Sequence, residues 1–333
     1  MSFTYEDFLG LSLPSDGDTD HGEELRQNYT ALGRAMAPDN IYYVSPAFTE
    51  AELYCSNASD RRHFDTIQAA INAAQHATSY SSPATVLIWP GTYNEKLTIT
   101  GTVTLLGYLP QYNSFLGASG YGVKIRGDGT NTPVINWSPA EGYTHALGLV
   151  NLFVDNSYAT QNAVLINDAY ALKVNSQAAV GPYSNRLLIR NCHFKMQTIG
   201  DDNRWAYGLD INGYVNTTIW DSQIYAYGYA GGNNNGGVLY PINVNGTSNS
   251  SYKSSLFFYK SVAYQQNYDP TLTPTIFRCG GETNTYVTYS SWYMNTADPI
   301  YIDAAGGTNS FYGLSGDITD RYNLAGVSSV LPI

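Results

Sequence analysis

Charged side chains are scarce in this sequence, and basic side chains are the scarcer of the two signs. Only 13% of the residues are charged, and 16 Lys and Arg stand against 27 Asp and Glu, which gives a net charge of −11. No basic run interrupts this pattern. Because proteins bind phosphate backbones through clustered Lys and Arg, nucleic acid is excluded as an expected partner.

Long apolar runs are missing as well. No uninterrupted apolar stretch is long enough to span a bilayer, since a spanning helix needs about 20 such residues. The opening residues, "MSFTYEDFLG", lack the positive region and the apolar core of an export signal. We therefore expect a soluble protein that is neither inserted into a membrane nor exported.

Cysteine and histidine are few and scattered. Cys55, Cys192 and Cys279 are odd in number and show neither pairing nor metal-ligand spacing, which predicts reduced, buried thiols. The histidines at positions 63, 76, 145 and 193 are isolated, so the sequence predicts neither a metal cluster nor a catalytic triad. No metal and no cofactor is expected.

Tyrosine and glycine are abundant, at 30 and 31 residues. This composition is typical of strands and turns, and a chain of 333 residues holds one large all-β domain or two ordinary ones. From "ATVLIWPGTYNEKLTITGTVTLLGY" onward the pattern predicts strands with Gly and Asn at the corners.

Six segments share one pattern, in which a polar or turn residue follows an apolar residue and is followed by further apolar positions. They are "LVNLFV" at Leu149, "IRNCHF" at Ile189, "IWDSQI" at Ile219, "FYKSVA" at Phe258, "VTYSSW" at Val287 and "YGLSGD" at Tyr312, of which the last two match weakly. The pattern is constant while the spacing varies, which indicates a parallel β-solenoid because each coil returns to one stacking position while its loops differ. At roughly 25 residues a coil we expect about ten coils.

Two amphipathic helices are predicted ahead of this repeat. The first begins near Asp20 and ends before Pro38, with Leu25, Tyr29, Leu32 and Met36 at helical spacing. The second covers about residues 65–76, with Asp65 as its N-cap and with Ile67, Ala70, Ile71 and Ala74 on one apolar face. Between them, "IYYVSPAF" at 41–48 predicts a strand.

The segment from Thr66 to Tyr108 resembles the pectin-lyase-like and pectin-esterase-like proteins. "TIQAAINAA" is similar to the short helix that caps their solenoid, "PGTY" at Pro90 is similar to the turn between their first strands, and "IRNCHF" is similar to their recurring strand. The resemblance implies an all-β fold, a right-handed parallel β-helix over residues 41–333. It specifies a fold and leaves the chemistry open.

Residues 1–40 resemble the N-terminal segment of many tailed-bacteriophage fibre, spike and capsid decoration proteins. In these an L-P-x-x-G-D-T phrase precedes a helix with an L-x-x-N-[FY] motif, and the matching positions here are Leu13, Pro14, Gly17, Asp18, Thr19, Leu25, Asn28 and Tyr29. The resemblance implies that residues 1–40 attach the chain to other virion proteins of the capsid or tail. It also implies a homotrimer on the virion surface, synthesised in the host cytoplasm.

The acidic phrase "DGDTDHG" in this segment has a second interpretation as a calcium loop. Asp16, Asp18 and Asp20 alternate as ligands do in an EF-hand, but His21 and Gln27 occupy the positions of its Gly and its bidentate Glu. An Asx-rich turn before a helix is the favoured interpretation.

A catalytic role for carboxylate side chains remains an open alternative. The Q-D-T-L and L-G-R-P-W phrases of the esterases of this superfamily do not occur. The nearest lyase-like candidates are Asp201, Asp202 and Arg204 with Trp205 in "GDDNRW", and Arg126 with Asp128 in "IRGDGT". A glycoside hydrolase would pair two carboxyl groups over a groove, and the candidate pairs are Asp155 with Asp168 and Asp210 with Asp221.

A glycan contact is predicted where aromatic residues adjoin a Gly/Asn loop. "YAYGYAGGNNNGGVLY" begins at Tyr225 and places Tyr225, Tyr227 and Tyr229 beside that loop, with Trp205 as a further candidate. We therefore expect a non-enzymatic capsid decoration protein or short tail fibre that binds host glycans. A tailspike that degrades polysaccharide, as a lyase or a hydrolase, is the alternative.

Overall fold

The chain forms a parallel β-helix, as the repeat and the resemblance predict. The computed structural model describes residues 41–46, 62–77, 84–108, 122–128, 132–140, 144–157, 169–176, 185–200, 206–230, 239–246, 253–267, 275–288, 290–294, 300–305, 309–312 and 327–331. The predicted first helix and the eight predicted attachment residues, Leu13 to Tyr29, lie outside these ranges, so the attachment role stays a prediction. All described strand pairs are parallel, within three sheets.

Sheet A is the longest of the three and contains eleven strands. They are β1 (Ile41–Val44), β2 (His63–Phe64), β3 (Ala84–Ile88), β6 (Val103–Gly107), β9 (Ala146–Val150), β12 (Asn185–Arg190), β15 (Val215–Trp220), β18 (Ser254–Tyr259), β21 (Thr283–Thr288), β24 (Asn309–Tyr312) and β25 (Val327–Leu331).

Sheets B and C contain seven strands each. Sheet B consists of β4 (Gly91–Tyr93), β7 (Val123–Arg126), β10 (Leu152–Ser157), β13 (His193–Gly200), β16 (Gln223–Ala230), β19 (Val262–Asn267) and β22 (Ser291–Met294). Sheet C consists of β5 (Leu97–Ile99), β8 (Ile135–Trp137), β11 (Ala169–Asn175), β14 (Ala206–Asn212), β17 (Leu239–Asn245), β20 (Thr275–Gly280) and β23 (Ile300–Ala305).

Each coil runs through sheets A, B and C in turn, and the described strands make seven complete coils from β3 to β23. The described strands thus make fewer complete coils than the ten expected. The coils are longer than the roughly 25 residues assumed, because several strands are joined by long connections; the coil that begins at Val103 continues until Ala146.

The predicted repeat anchors stack in register. Leu149 pairs with Ile189, Ile189 with Ile219, Ile219 with Phe258, and Phe258 with Val287. The first four of these side chains are buried in the core. The sixth anchor is displaced by one residue, since Tyr312 pairs with Tyr286 and not with Val287. A column of stacked apolar side chains therefore explains why these segments resemble one another.

The polar residue of each repeat forms the turn from sheet A to sheet B. Asn151, Asn191, Asp221 and Lys260 occupy this turn in successive coils with φ angles of 57°, 49°, 49° and 45°. Asn and Asp adopt this left-handed conformation more readily than most residues do. The Asn191 side chain also donates a hydrogen bond to Asn151 Oδ1 at 2.8 Å, which links two neighbouring turns.

Helix α1 (Ile67–Ala77) packs on the first coil through the predicted apolar face, and Ile67, Ala70, Ile71 and Ala74 are fully buried. Its predicted N-cap is wrong, because the amides of Ile67 and Gln68 donate to the Glu95 carboxylate, at 2.9 Å each, and not to Asp65. Glu95 is distant in sequence from the start of helix α1, so only the fold brings its carboxylate to this helix end.

Two of the three cysteines are described, and both are reduced, buried thiols, as predicted for Cys192 and Cys279. Burial raises the pKa of the Cys192 thiol to about 12, so the thiol stays protonated and unreactive at neutral pH. Within the described ranges, no helix has the length and apolar character needed to cross a membrane.

Candidate functional site

The outer face of sheet B carries Tyr225 and Tyr227, two of the aromatic residues that the sequence placed near a glycan contact. Successive side chains of a strand point to opposite faces, and Phe194, Ile224 and Ala263 are fully buried in the core. The residues next to them along each strand therefore point outward. Five of these outward residues contact one another and form the aromatic cluster: Phe153, His193, Tyr225, Tyr227 and Tyr264.

The rings of the aromatic cluster come from four successive coils. The Phe153 and His193 rings stack at 4.6 Å between centroids, and the His193 and Tyr225 rings lie 4.7 Å apart. Tyr264 lies 5.5 Å from Tyr225 and 5.7 Å from Tyr227. These distances are within the range of favourable aromatic pairs, so the cluster is a continuous surface of rings.

Tyr225 is the centre of the aromatic cluster and only 2% of its surface is exposed. Its hydroxyl donates to Gln223 Oε1 at 3.0 Å, and burial together with nearby Tyr264 raises its pKa to about 12. Tyr227 and Tyr264 are only partly buried. Tyr225 thus supports two rings that are open to a ligand.

The predicted glycan residues differ in what the structure shows of them. Tyr227 lies at the open side of the aromatic cluster, and Lys195 places its ammonium group 5.7 Å from the Tyr227 ring centroid. The backbone of Tyr229 belongs to β16, while its side chain and the whole of Trp205 lie outside the described residues. The sequence did not single out Phe153, His193 or Tyr264, which reach the aromatic cluster only through strand pairing.

One ion pair lies beside the aromatic cluster. Lys124 Nζ and Asp155 Oδ2 are 2.6 Å apart, with 24% and 7% of the two side chains exposed. The Lys124 ammonium also lies 4.8 Å from the Phe153 ring centroid. The carboxylate of Asp155 is thus neutralised on the surface where a ligand would bind.

His193 is uncharged at neutral pH. Burial, with smaller contributions from the positive charges of Lys195 and Lys124, lowers the pKa of its imidazole to about 4 against the opposing effect of Asp155. A neutral imidazole donates from one ring nitrogen and accepts at the other. His193 can therefore stack with the other rings of the aromatic cluster without bringing a third cation to this surface.

We expect the stability of the protein to fall in mild acid because of His193. The imidazole has a pKa of about 4 when folded and 6.5 when unfolded, so the unfolded chain binds more protons between these values. The contribution of His193 is complete above pH 6.5 and is lost as the pH falls towards 4. It amounts to at most about 3 kcal/mol, measurable as the free energy of unfolding in urea at several pH values.

His193→Asn is the control for this pH dependence, because it keeps a polar side chain and cannot titrate. The difference in unfolding free energy between the natural chain and this variant should shrink steadily as the pH falls. A difference that does not change with pH, or an imidazole pKa near 6.5 by nuclear magnetic resonance, would contradict the assignment.

A polar groove adjoins the aromatic cluster along the corner between sheets A and B. Its volume is about 630 Å³, and it is lined by Val150, Asn151, Arg190, Asn191, Asp221, Ser222, Gln223, Lys260 and Val262. Gln223 belongs to both features, since it lines the groove and accepts the hydrogen bond of Tyr225. This volume is typical of small-ligand sites, and the lining groups suit hydroxyl-rich ligands.

Of the two candidate carboxylate pairs, the structure describes both members only of the pair Asp210 and Asp221, and these lie in different parts of the coil. Asp210 lies in β14 of sheet C, where it accepts a hydrogen bond of 2.7 Å from Asn243, whereas Asp221 lies in the turn between β15 and β16. Asp128 is bound to Lys96 at 2.6 Å. Asp168, Asp201, Asp202 and Arg204 lie outside the described residues.

Sheet C carries a second row of stacked rings. Tyr170 stacks on Tyr207 at 5.1 Å and Tyr207 stacks on Tyr240 at 5.7 Å. Only 6% of Tyr207 and 8% of Tyr240 is exposed, and Tyr170 is partly buried. Stacking of these rings stabilises the coils. In the described part of the chain, no His, Cys, Asp and Glu side chains are grouped as a metal site.

Comparison with known proteins adds little to this geometry. No protein-family model and no curated protein matches the chain. Among solved structures, a rice weevil pectin methyl esterase aligns with 86% of this chain and 93% of its own, at 13% identity and a TM-score of 0.34. A likeness at this level carries no argument about function, and the fold assignment rests on the three ladders of parallel strands.

Proposed function

We propose that this chain is a non-enzymatic surface protein of a tailed-phage virion, a capsid decoration protein or short tail fibre, that binds host glycans through sheet B. The observation that carries the binding role is the polar groove that Gln223 joins to the aromatic cluster, in which the Tyr227 and Tyr264 rings are partly exposed. Sugars present both hydroxyl groups and apolar ring faces, so a site for them combines hydrogen-bonding side chains with aromatic rings.

The chemistry of this surface favours binding over cleavage. Amides line the groove together with a guanidinium group, a hydroxyl and a single carboxylate, the last three supplied by Arg190, Ser222 and Asp221. The carboxylate of Asp155 is held by Lys124, and glycoside hydrolysis uses two carboxyl groups about 5 to 9.5 Å apart on either side of the bond. A degrading tailspike is therefore the second candidate, and a cleavage assay distinguishes the two.

The virion part of the proposal is supported by residues 1–40. Their phrase from Leu13 to Thr19 and the following Leu25, Asn28 and Tyr29 resemble phage attachment segments. In this proposal they bind capsid or tail proteins, and the β-helix body faces outward as part of a homotrimer.

The binding role is tested with the full chain on an array of purified bacterial capsular polysaccharides and O-antigens. We expect retention of at least one polysaccharide, and we expect Tyr227→Ala and Tyr264→Ala each to weaken it about tenfold, which corresponds to about 1.4 kcal/mol. Tyr170→Ala removes a tyrosine of sheet C and is the matched control that should bind normally.

Two outcomes of this experiment would overturn the binding proposal. Equal weakening of polysaccharide binding by Tyr170→Ala would show that the loss of binding is structural. If no polysaccharide bound the chain, glycans would be excluded as its ligands. New reducing ends or unsaturated products after incubation would establish the degrading tailspike instead.

The virion role is tested by deleting Met1–Asn40 and adding the chain to particles that lack it. We expect the natural chain to join the particles and the shortened chain to remain folded and unbound. Normal assembly of the shortened chain would contradict the attachment role of residues 1–40.

A further inference from the structure

We propose that the outer face of sheet A is the surface through which copies of this chain associate. The described residues include five large hydrophobic side chains that are exposed, and all five lie on sheet A or directly after one of its strands. They are Trp89, Tyr108, Leu188, Trp220 and Phe257. Large apolar side chains that are exposed together on one face mark interaction sites in soluble proteins.

Three of the exposed residues, Leu188, Trp220 and Phe257, come from the successive strands β12, β15 and β18. In β12 the inward residues Leu187 and Ile189 are buried, yet Leu188 between them is also apolar and 42% exposed. Phe257 is likewise 42% exposed, and its ring stacks on Tyr286 at 4.4 Å. A strand that faces only water carries polar residues at such positions, so this face is built for contact.

The Trp89 and Tyr108 rings extend this face at the edge of the first coils, where they stack on each other at 4.5 Å. Trp220 contacts Tyr259 edge-on at 4.7 Å. Between these groups, Gly148 leaves a depression of about 340 Å³ bordered by Thr104 and Leu188. The face therefore offers protruding rings and a recess, which are the shapes that two protein surfaces need in order to interlock.

The charge of sheet A favours another copy of this chain as the occupant. The chain has a net charge of −11, so copies that approach each other through acidic faces are repelled. None of the eleven described strands of sheet A contains Asp or Glu, and Arg186 and Arg190 are the Lys and Arg residues in them. Sheet A is thus a face on which two acidic chains can meet without opposing carboxylates.

The size of sheet A is sufficient for a stable contact. Eleven strands spaced by about 4.8 Å, with about five residues of roughly 3.3 Å in each, cover about 870 Å² in projection. A stable protein–protein interface buries about 800 Å² on each partner.

Light scattering on the full chain after size-exclusion chromatography tests this inference. We expect the natural chain to have a mass of several times 36.5 kDa, and the double variant Leu188→Lys/Phe257→Lys to be monomeric at micromolar concentration. Thr92→Lys places the same residue at an exposed outward position of sheet B and should leave the mass unchanged. Circular dichroism confirms that each variant is folded.

The outcomes distinguish this inference from the proposed function. Only the expectation of three copies in the oligomer comes from the proposed function. A trimer that the double variant dissociates supports both, and a dimer that it dissociates supports the role of sheet A while overturning the trimer. A monomeric natural chain, or a double variant that keeps its oligomeric mass, overturns the inference whatever the glycan array shows. Dissociation by Thr92→Lys would overturn it too.

Discussion

Replacing Gly213 by alanine is expected to destabilise the protein by about 4 kcal/mol, the largest effect of any single substitution discussed for this chain. Gly213 forms the turn from β14 to β15 with a φ of +95°, and a Cβ atom there would lie 1.7 Å from the backbone oxygen of Ser176. Both the conformation and the contact exclude a side chain. Urea unfolding of the purified variant, or its loss from the soluble fraction, measures the effect.

The control for this prediction is Gly101→Ala, because it adds the same methyl group to another glycine of the body. At Gly101 the nearest atom to an added Cβ is Gln75 Cγ at 3.4 Å, which is an ordinary contact. We expect the free energy of unfolding to change by less than about 1 kcal/mol. Similar losses for both variants would show that the turn at Gly213 is not the constraint described.

Lys124→Met is the second substitution for which we expect a large loss of stability, about 3 kcal/mol. Methionine keeps an apolar stem near the Phe153 ring but removes the ammonium that lies 2.6 Å from Asp155. The Asp155 side chain is 7% exposed, so its carboxylate loses a close counter-charge where water cannot fully replace it. Chemical unfolding at neutral pH measures the change.

A double-mutant cycle with Asp155→Asn shows whether the pair itself is responsible. We expect the double variant Lys124→Met/Asp155→Asn to lose about 2 kcal/mol less unfolding free energy than the two single variants lose in sum. Because Lys124 lowers the pKa of His193, Lys124→Met should also raise that pKa above about 4. Additive losses with an unchanged imidazole pKa would mean that Lys124 acts only through packing.

The repeat anchors were predictable because a β-helix imposes one local requirement on every coil. An apolar inward residue must precede a residue that accepts the turn from sheet A to sheet B, and the segments at Leu149, Ile189, Ile219 and Phe258 meet this requirement visibly. The anchor at Tyr312 fails by one residue, since neighbouring aromatic residues fit the same pattern in either register.

The candidate site was predictable only in part. The run of tyrosines after Gln223 indicated an aromatic surface, and Tyr227 lies on it. Phe153, His193 and Tyr264 stand in ordinary strand segments with no signal of their own. They meet because Phe153 pairs with His193 and Tyr225 pairs with Tyr264 across coils of unequal length, and those lengths cannot be read from strand patterns.

The sequence by itself determined the fold class, helix α1 and the turn residues of the coils, because these depend on side-chain alternation, helical spacing and local backbone preference. Only the tertiary structure decided which apolar residues face outward, since "RLLI" and "LFFY" allow either face until a register is chosen. It also decided that Glu95 binds the start of helix α1, that Lys124 neutralises Asp155, and that Gln223 joins the groove to the aromatic cluster. Each of these contacts joins residues that are distant in sequence or that are positioned by the packing of neighbouring coils. It therefore forms only when the coils are stacked.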